Sequence, residues 1–280
     1  MHVDVLIVNY RTGPLTERAA AALAGPGVHV FVRDNSGELL APEAAPLPAV
    51  TVGDGRNVLY APACNELYRL CDGDLVLLAN PDVELTHTGL CDLVAALRTD
   101  PGAWGATPAL RNPDGTAQEY YRRLPTPASM LADRLPPLRL PLAAAWRRHV
   151  YHDRSYLKDG VVEQPPGACV LLYREEPELF DEAFALFFND VDLARRRNAT
   201  GRHCRFVGSV TAHHVRGASL AADRRLDRYR VARAYDAAAL AYARRHLPAV
   251  VPALRAACAL RAVGYRTVEA LADRGNAKPS

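Results

Sequence analysis

Lysine is almost absent from this 280-residue chain: only Lys158 and Lys278 occur, so 32 of its 34 cationic side chains are arginine. Beside abundant alanine, leucine and proline, this skew reads as coding bias rather than a binding signature. No stretch approaches the roughly 18–20 uninterrupted apolar residues of a membrane-spanning helix. The opening segment, MHVDVLIVNYRTG, has neither a basic leader nor a small-residue cleavage site, so no signal peptide is expected and the chain reads as cytoplasmic. The six cysteines (Cys64, Cys71, Cys91, Cys169, Cys204 and Cys258) form no CxxC and no zinc spacing, which predicts reduced core thiols. GxGxxG is missing after the first apolar run, where the turn reads NYRTGPL; a dinucleotide needs glycines there for close backbone approach to pyrophosphate. The phosphate-binding P-loop is missing too.

Hydrophobic residues make up 49% and charged residues 23%, enough apolar content for a sizeable soluble core. A net charge of +3 is too small to argue for a nucleic-acid partner. The charge is uneven, however: residues 221–280 hold twelve Lys/Arg against five Asp/Glu, a net of +7 that leaves −4 for residues 1–220.

Apolar runs at residues 3–10, 28–34, 49–53 and 74–80 alternate with helical segments such as TERAAAALAG and APACNELYRLC. Thr16 is the expected cap of the first helix. Continuous apolar runs are strands buried on both faces, and their alternation with helices predicts an α/β protein with a doubly wound, mostly parallel sheet. The ligand of such a sheet binds at the strands' carboxyl ends. Residues 111–160, with RRLPTP and RLPPLRLPL, read as an irregular lid or acceptor loop. Regular signals return at GACVLLY, FDEAFALFFNDVDLARRR and CRFVGSVTAHH, and the tail from 221 is helical in pattern, broken at Pro248 and Pro252.

Polar clusters follow the apolar runs. Asp34 and Asn35 close the second strand, where a carboxylate could accept hydrogen bonds from a ribose or a base; an Asx-turn explains Asp34 as well. Asn80-Pro81-Asp82 closes the longest strand, where a carboxylate suits a hard divalent cation, although NPD is also a good turn sequence. Asn189 is the expected cap of a helix that carries Asp190 and Asp192 about 200° apart, so the two cannot serve one site. Asp192 is then structural and Asp190 faces the cleft, its pKa raised by Phe184, Phe187 and Phe188 toward a general base's range. His213 and His214 follow the last strand, and alternation lets only one of them reach the site.

Together VDVLIVNYR, DNSG, NVLYAPACNELYR, LLANPDVEL, PPGACVLLYRE, LFDEAFALFFNDVDLARR and VTAHHVRGASL resemble, in order, the family-2 glycosyltransferases of GT-A fold, most closely their rhamnosyltransferase-like branch. The resemblance covers about residues 3–220. It implies a catalytic domain over 1–220, with a nucleotide-binding half at about 1–110, a variable loop at 111–160 and an acceptor half at about 160–220, followed by a helical extension over 221–280. By this likeness Val8, Asn9, Tyr10, Arg11, Asp34 and Asn35 bind the nucleotide, and Asn57, Ala63 and Asn65 line the diphosphate and sugar. Asn80-Pro81-Asp82 falls on the family's DxD motif, which leaves Asp82 as the main carboxylate ligand of a Mg²⁺ or Mn²⁺ ion. A histidine, first His213, completes the metal sphere. The catalytic acidic pair falls on Asn189-Asp190 with Asp190 as base, and Gly167 and Ala168 leave room for donor sugar or acceptor.

The expected activity is inverting transfer of a sugar from a nucleoside diphosphate to an acceptor hydroxyl on a glycan, a lipid-linked glycan or a secondary metabolite. A dTDP-linked deoxyhexose such as rhamnose is the first donor expectation, with UDP- and GDP-sugars next. The neutral residues at Asn80 and Asn189 keep open a non-catalytic sugar-nucleotide or glycan-binding protein on the same fold. A homodimer is compatible with the resemblance. For the tail, a stripe of Leu240, Leu247, Val250, Val251, Leu254, Cys258 and Ala262 predicts a helix packed on the catalytic domain, the alternative being a basic amphipathic segment at an anionic membrane surface.

Overall fold

A computed structural model describes residues 2–40, 47–151, 158–215, 217 and 228–276. The first apolar run forms β1 (Val3–Asn9), buried along its whole length, which requires neighbours on both edges and cover on both faces. Its edge neighbours are β2 (Val28–Asp34) and β4 (Leu75–Ala79), both parallel to it, and β3 (Val50–Val52) extends the sheet beyond β2. The full order is β3-β2-β1-β4-β8-β6-β9-β5, in which β5 is Val83–Glu84, β6 is Ala103–Arg111, β8 is Cys169–Tyr173 and β9 is His203–His214. The sheet is mixed. Strand β8 runs antiparallel to both β4 and β6, while β5 and β7 (Gly160–Val162) pair antiparallel with β9.

Helices α1 (Gly13–Leu23) and α3 (His87–Arg98) supply apolar stripes to one face of the sheet. Helices α2 (Tyr60–Tyr68) and α6 (Asn189–Asn198) cover the other. Thr16 does not cap α1. The helix starts at Gly13 after Thr12, and Thr16 lies buried inside it, donating to Asn9 Oδ1 at 2.9 Å. Strand β6 forms despite Pro108, because the pairing of β6 with β9 shifts register between Pro108 and Ala109 and the missing N–H falls at that irregularity. All six cysteines are free thiols, and all but Cys91 are buried.

The segment after β6 is more ordered than its prolines suggest. It contains α4 (Pro127–Arg134), started by a reciprocal Thr126–Ser129 capping box, a 3-10 turn at Pro136–Arg139 and α5 (Ala143–His149). Proline at the first position of α4 initiates it rather than breaking it. Residues 152–157 of the expected loop lie outside the described residues.

The tail forms α7 (Arg228–His246), a 3-10 turn at Pro248–Val250 and α8 (Val251–Asn276). Pro248 ends one helix, but Pro252 sits in the first turn of the next, where no backbone donor is lost. Tyr242, Val250, Leu254 and Cys258 are buried in a cluster with Met130, Phe184, Phe188 and Val191, so the tail shares a core with α4 and the segment leading into α6. Polar ties reinforce it: Arg134 of α4 ion-pairs with Asp236 of α7 at 2.8 Å, and His246 meets Asp192 of α6 at 2.9 Å. The expected boundary near residue 220, and the RGASL end of the last motif except Gly217, lie outside the described residues. No helix among the described residues is long and apolar enough to cross a membrane.

The shared core makes Leu254 a sensitive probe, because it is fully buried whereas Leu260 on the same helix is 63% exposed. Leu254→Ala is expected to destabilise the protein by about 2–5 kcal/mol in chemical denaturation. Leu260→Ala should change stability by under about 0.5 kcal/mol. Equal effects would mean that α8 does not hold this packing in solution.

Candidate active site

The polar residues that end the strands gather along the sheet's carboxyl edge. In register, Asn9 faces Asp34 across the β1–β2 ladder. Asn9 Nδ2 donates to Asp34 Oδ1 at 2.9 Å, and Asp34 also accepts from Ser36 N–H at 2.9 Å and Leu39 N–H at 2.7 Å. Burial opposes ionisation of Asp34, but these bonds together outweigh it and hold its carboxyl below the usual carboxylate range. Asn9 and Asp34 are fully buried and Val8 nearly so. They form the floor beneath the site, and the side chains of Asn9 and Asp34 spend hydrogen bonds on one another and on the chain around them.

Above that floor lies a cleft of about 380 Å³ lined by Tyr10, Arg11, Asn35, Ser36, Glu38 and Asn57. Tyr10, Arg11, Asn35 and Asn57 are among the expected residues; Ser36 and Glu38 carry no motif signal beyond following Asp34. Asn35 Nδ2 donates to Asn57 Oδ1 at 3.3 Å and Leu59 O at 3.4 Å, while its Oδ1 is buried and receives no hydrogen bond. An unmet buried acceptor at a cleft wall is costly unless a ligand supplies the donor. Buried Arg33 braces the loop beside it, donating to Arg56 O at 3.0 Å and pairing with Glu66 at 2.9 Å. Ala63 and Asn65 do not line the cleft. Ala63 is in the core, and Asn65 is buried in a reciprocal pair of 2.9 Å bonds with the backbone of Phe180.

Asp82 lies in the turn between β4 and β5 and is 6% exposed. Because β5 pairs with the end of β9, Val83 faces His214, and the His214 Nε2 comes 3.4 Å from Asp82 Oδ1. Strand alternation points His213 the other way, into solvent. His214 therefore replaces His213 as the imidazole beside Asp82. Gln118 fixes its ring. The Gln118 amide donates to His214 O at 2.8 Å and Asn112 Oδ1 at 2.7 Å, so its Oε1 is left to accept from His214 Nδ1 at 2.9 Å. Nε2 then carries a lone pair toward a carboxylate, an arrangement that a cation between them would complete. Asn80 and Pro81 shape this turn through the backbone: Asn80 N–H donates to Ala168 O and Asn80 O accepts from Val83 N–H.

Helix α6 follows Phe188, which takes a left-handed conformation (φ 66°). The helix thus begins one residue earlier in role than expected: Phe188 caps it and Asn189 is its first residue. Asn189 is buried, donating to Phe184 O and accepting from Asp190 N–H. Its neutral amide does a structural job, so its presence carries no argument against catalysis. Asp190 turns toward β8: Oδ2 accepts from Gly167 N–H at 3.2 Å and Oδ1 from Val191 N–H at 2.9 Å. Burial raises its pKa against the opposing bonds from Gly167, Val191 and the Gln164 side chain. A Cβ on Gly167 would lie 3.1 Å from Asp190 Cβ, so this glycine admits the close approach of Asp190. Ala168 is likewise buried. Asp192 faces the tail, paired with His246 and with Arg196 at 3.0 Å.

Tyr60 links the two acidic positions. Its hydroxyl donates to Gly167 O at 3.3 Å, and burial, then Cys64, then the charges of Asp190 and Asp82 keep it protonated far above its ordinary range. Next to the start of α6, a smaller cleft of about 160 Å³ is walled by Arg122, Arg134, Trp146, Gln164, Phe188 and Tyr235. Five of these, all but Phe188, lie outside the seven motifs of the resemblance; Arg122 and Arg134 belong to the arginine and proline runs of the middle segment. Two of the four non-glycine residues with positive φ among those described, Arg11 and Phe188, line these clefts, and a third, Leu59, accepts a hydrogen bond from Asn35 of the first, as strained residues often border functional sites.

No protein family's sequence model matches the chain. It is 28% identical over 246 residues to the N-acetylglucosaminyl-diphospho-decaprenol L-rhamnosyltransferase of Mycobacterium tuberculosis, covering 79% of this chain and 78% of that protein. Its structure is similar to GalNAc-T7 solved with UDP, GalNAc and Mn²⁺ (TM-score 0.54, 14% identity, 76% of this chain), although it spans only 44% of that chain. It is also similar to the mannosyltransferase PcManGT of Pyrobaculum calidifontis, solved with GDP-Man and Mn²⁺ (TM-score 0.50, 18% identity, 97% of this chain and 80% of that one). The mixed sheet with its clefts along the carboxyl edge is thus the fold of the GT-A glycosyltransferases. Within that fold the chain is similar in sequence to a rhamnosyltransferase.

The environment of Asp190 can be read directly. In a carboxyl-carbon NMR titration its midpoint should lie above that of an ordinary aspartate. Gln164→Leu removes a bond that favours the ionised form, so it should move the midpoint further up; a downward move would contradict this hydrogen bond.

Proposed function

We propose that the chain is an inverting glycosyltransferase that moves a sugar from a nucleoside diphosphate to an acceptor hydroxyl. The observation that carries this reading is Asp190: a buried carboxylate held by Gly167 and Gln164, with a raised pKa, whose neighbours Gln164, Phe188 and Val191 line the smaller cleft. Each carboxylate oxygen has lone pairs beyond the bonds it accepts, so Asp190 retains capacity for a proton. In one in-line displacement the acceptor oxygen bonds to the anomeric carbon as the bond to the diphosphate oxygen breaks. The acceptor's proton passes to Asp190, and the nucleoside diphosphate leaves with the bonding pair.

Asn35 Oδ1 suits the ring N–H of a pyrimidine base, which supports a dTDP- or UDP-sugar; a dTDP-deoxyhexose such as rhamnose is favoured by the likeness to a rhamnosyltransferase. Arg11, over the Tyr10 ring at 5.6 Å, is placed to meet phosphate charge. Asp82 and His214 fit a divalent cation as one hard oxygen and one oriented imidazole, both almost fully buried. A Mg²⁺ or Mn²⁺ there would supply Lewis-acid neutralisation of the diphosphate. The smaller cleft, with Arg122, Gln164 and Asp133 beside aromatic walls, suits the hydroxyls and ring face of a sugar acceptor. The relative's name specifies a diphospho-decaprenol acceptor, which favours a lipid-linked glycan reached from the cytoplasmic membrane surface.

Two measurements test the reading. Asp190→Asn should lower kcat by roughly 10²–10⁴-fold while donor binding stays near normal. The base works ionised, so wild-type kcat should fall as pH drops through a pKa higher than that of an ordinary aspartate. Turnover equal to wild type in Asp190→Asn would overturn the assignment. For the cation, a thermal-shift panel of nucleoside diphosphates with Mn²⁺ should show the stabilisation of mass action. It should be lost in Asp82→Ala and His214→Ala and kept in His213→Ala. Loss in His213→Ala alone would reverse the choice of histidine.

A further inference from the structure

The opposite edge of the sheet carries a second cluster, on the order of 20 Å away along β1 at about 3.3 Å per residue. His2 precedes β1, Asp4 lies on it, His29 faces Asp4 across the ladder on β2, and Asp72 sits in the turn entering β4. Asp4 is fully buried. Its Oδ2 accepts from Asp72 N–H at 2.9 Å and Gly73 N–H at 2.7 Å, which pins the turn to the strand. Its Oδ1 is buried and receives no hydrogen bond. It points instead at two imidazole nitrogens, His2 Nε2 at 3.4 Å and His29 Nδ1 at 3.6 Å. Those nitrogens are 3.2 Å apart, and His2 Nε2 is 3.0 Å from Asp72 Oδ1.

A buried carboxylate oxygen with no donor is expensive, and two ring nitrogens this close can share only one proton between them in their neutral forms. A single cation resolves both. Metal–ligand bonds of about 2.0–2.2 Å in a tetrahedron set ligand–ligand edges of about 3.3–3.6 Å. The four measured edges, 3.0–3.6 Å, bracket that range, and all four ligand atoms lie within 4.8 Å of one another. Two carboxylates balance a 2+ charge, and two imidazoles select a zinc-like ion over Mg²⁺ or Ca²⁺, which prefer oxygen throughout. His2, His29 and Asp72 are 40–77% exposed at their side chains, which leaves an entry path.

We propose that His2, Asp4, His29 and Asp72 form a tetrahedral site for a Zn²⁺-class ion, separate from the carboxyl-edge site, that clasps the amino ends of β1 and β2 to the turn before β4. It is a structural site. Neither donor nor acceptor reaches it, and it stands or falls independently of the transferase reading.

Co²⁺ added to the metal-free full-length Asp82→Ala protein, in which the carboxyl-edge site is disabled, provides the test, with His214→Gln as a second background should Asp82→Ala fold poorly. One equivalent should give the intense visible absorption of tetrahedral Co²⁺, Zn²⁺ should abolish it by displacement, and Zn²⁺ should raise Tm. Adding His29→Ala, or the size-conserving His29→Gln, should remove the absorption and weaken Zn²⁺ binding at least about tenfold. Glycosyl transfer in His29→Ala with Asp82 intact should be unchanged. Absence of tetrahedral absorption in the parent background, or its persistence after His29 is replaced, would overturn the site.

Discussion

Burying a carboxylate is costly unless its oxygens are hydrogen-bonded, and Asp34 imposes that demand on the end of the sheet. Asn9, Ser36 and Leu39 answer it together, and each answer fixes a piece of the site. The Asn9 bond locks the carboxyl ends of β1 and β2 level, and the Ser36 and Leu39 amides fold the chain back over those ends. Asn9 in turn gathers Thr12 and Thr16 at the start of α1. The cleft lined by Tyr10, Arg11, Asn35 and Asn57 stands on this tie, so it is shaped before any ligand arrives.

The other half of the site depends on apolar packing instead. Asp190 occupies the first turn of a helix whose remaining faces pack against β9 and the tail. Asp192, two residues away, points to the opposite side, where His246 and Arg196 hold it. One short helix therefore couples the candidate base to the C-terminal helices: Asp192 secures the position from which Asp190 faces Gly167. The aromatic residues Phe184, Phe188 and Tyr242 fill the gap between this helix and the tail, and burial raises the pKa of Asp190.

Much of this was legible in the residues because its cause is local. Continuous apolar runs predict buried parallel strands, and β1, β2 and β4 fall where those runs do; β8 also falls on such a run but pairs antiparallel with both its neighbours. The 200° between residues 190 and 192 predicts their separate duties. What was not legible depends on partners distant in the chain. Pro108 hides β6, whose tolerance of it comes from an irregular register with β9 nearly a hundred residues later. Asn9, Asp34 and Asn65 carry the chemistry of ligand-binding residues, but burial spends it on the protein's own backbone and side chains. His213 and His214 are equivalent in composition, and only the pairing of β5 with β9 decides between them.

The two ends of β1 show how the same constraint separates a finished site from an unfinished one. Both ends bury a polar side chain that a central strand has no solvent to satisfy. At the carboxyl end, Asn9 uses its amide on Asp34, Ser36 and Glu38 and its oxygen on Thr12 and Thr16, leaving nothing unmet. At the amino end, Asp4 satisfies one oxygen with the turn at Asp72 and Gly73 and leaves the other facing His2 and His29. The difference is not one of burial, which is complete at both. It is that the amino end lacks a donor where geometry requires one, and a cation is the one species that meets a carboxylate oxygen and two imidazole lone pairs at once.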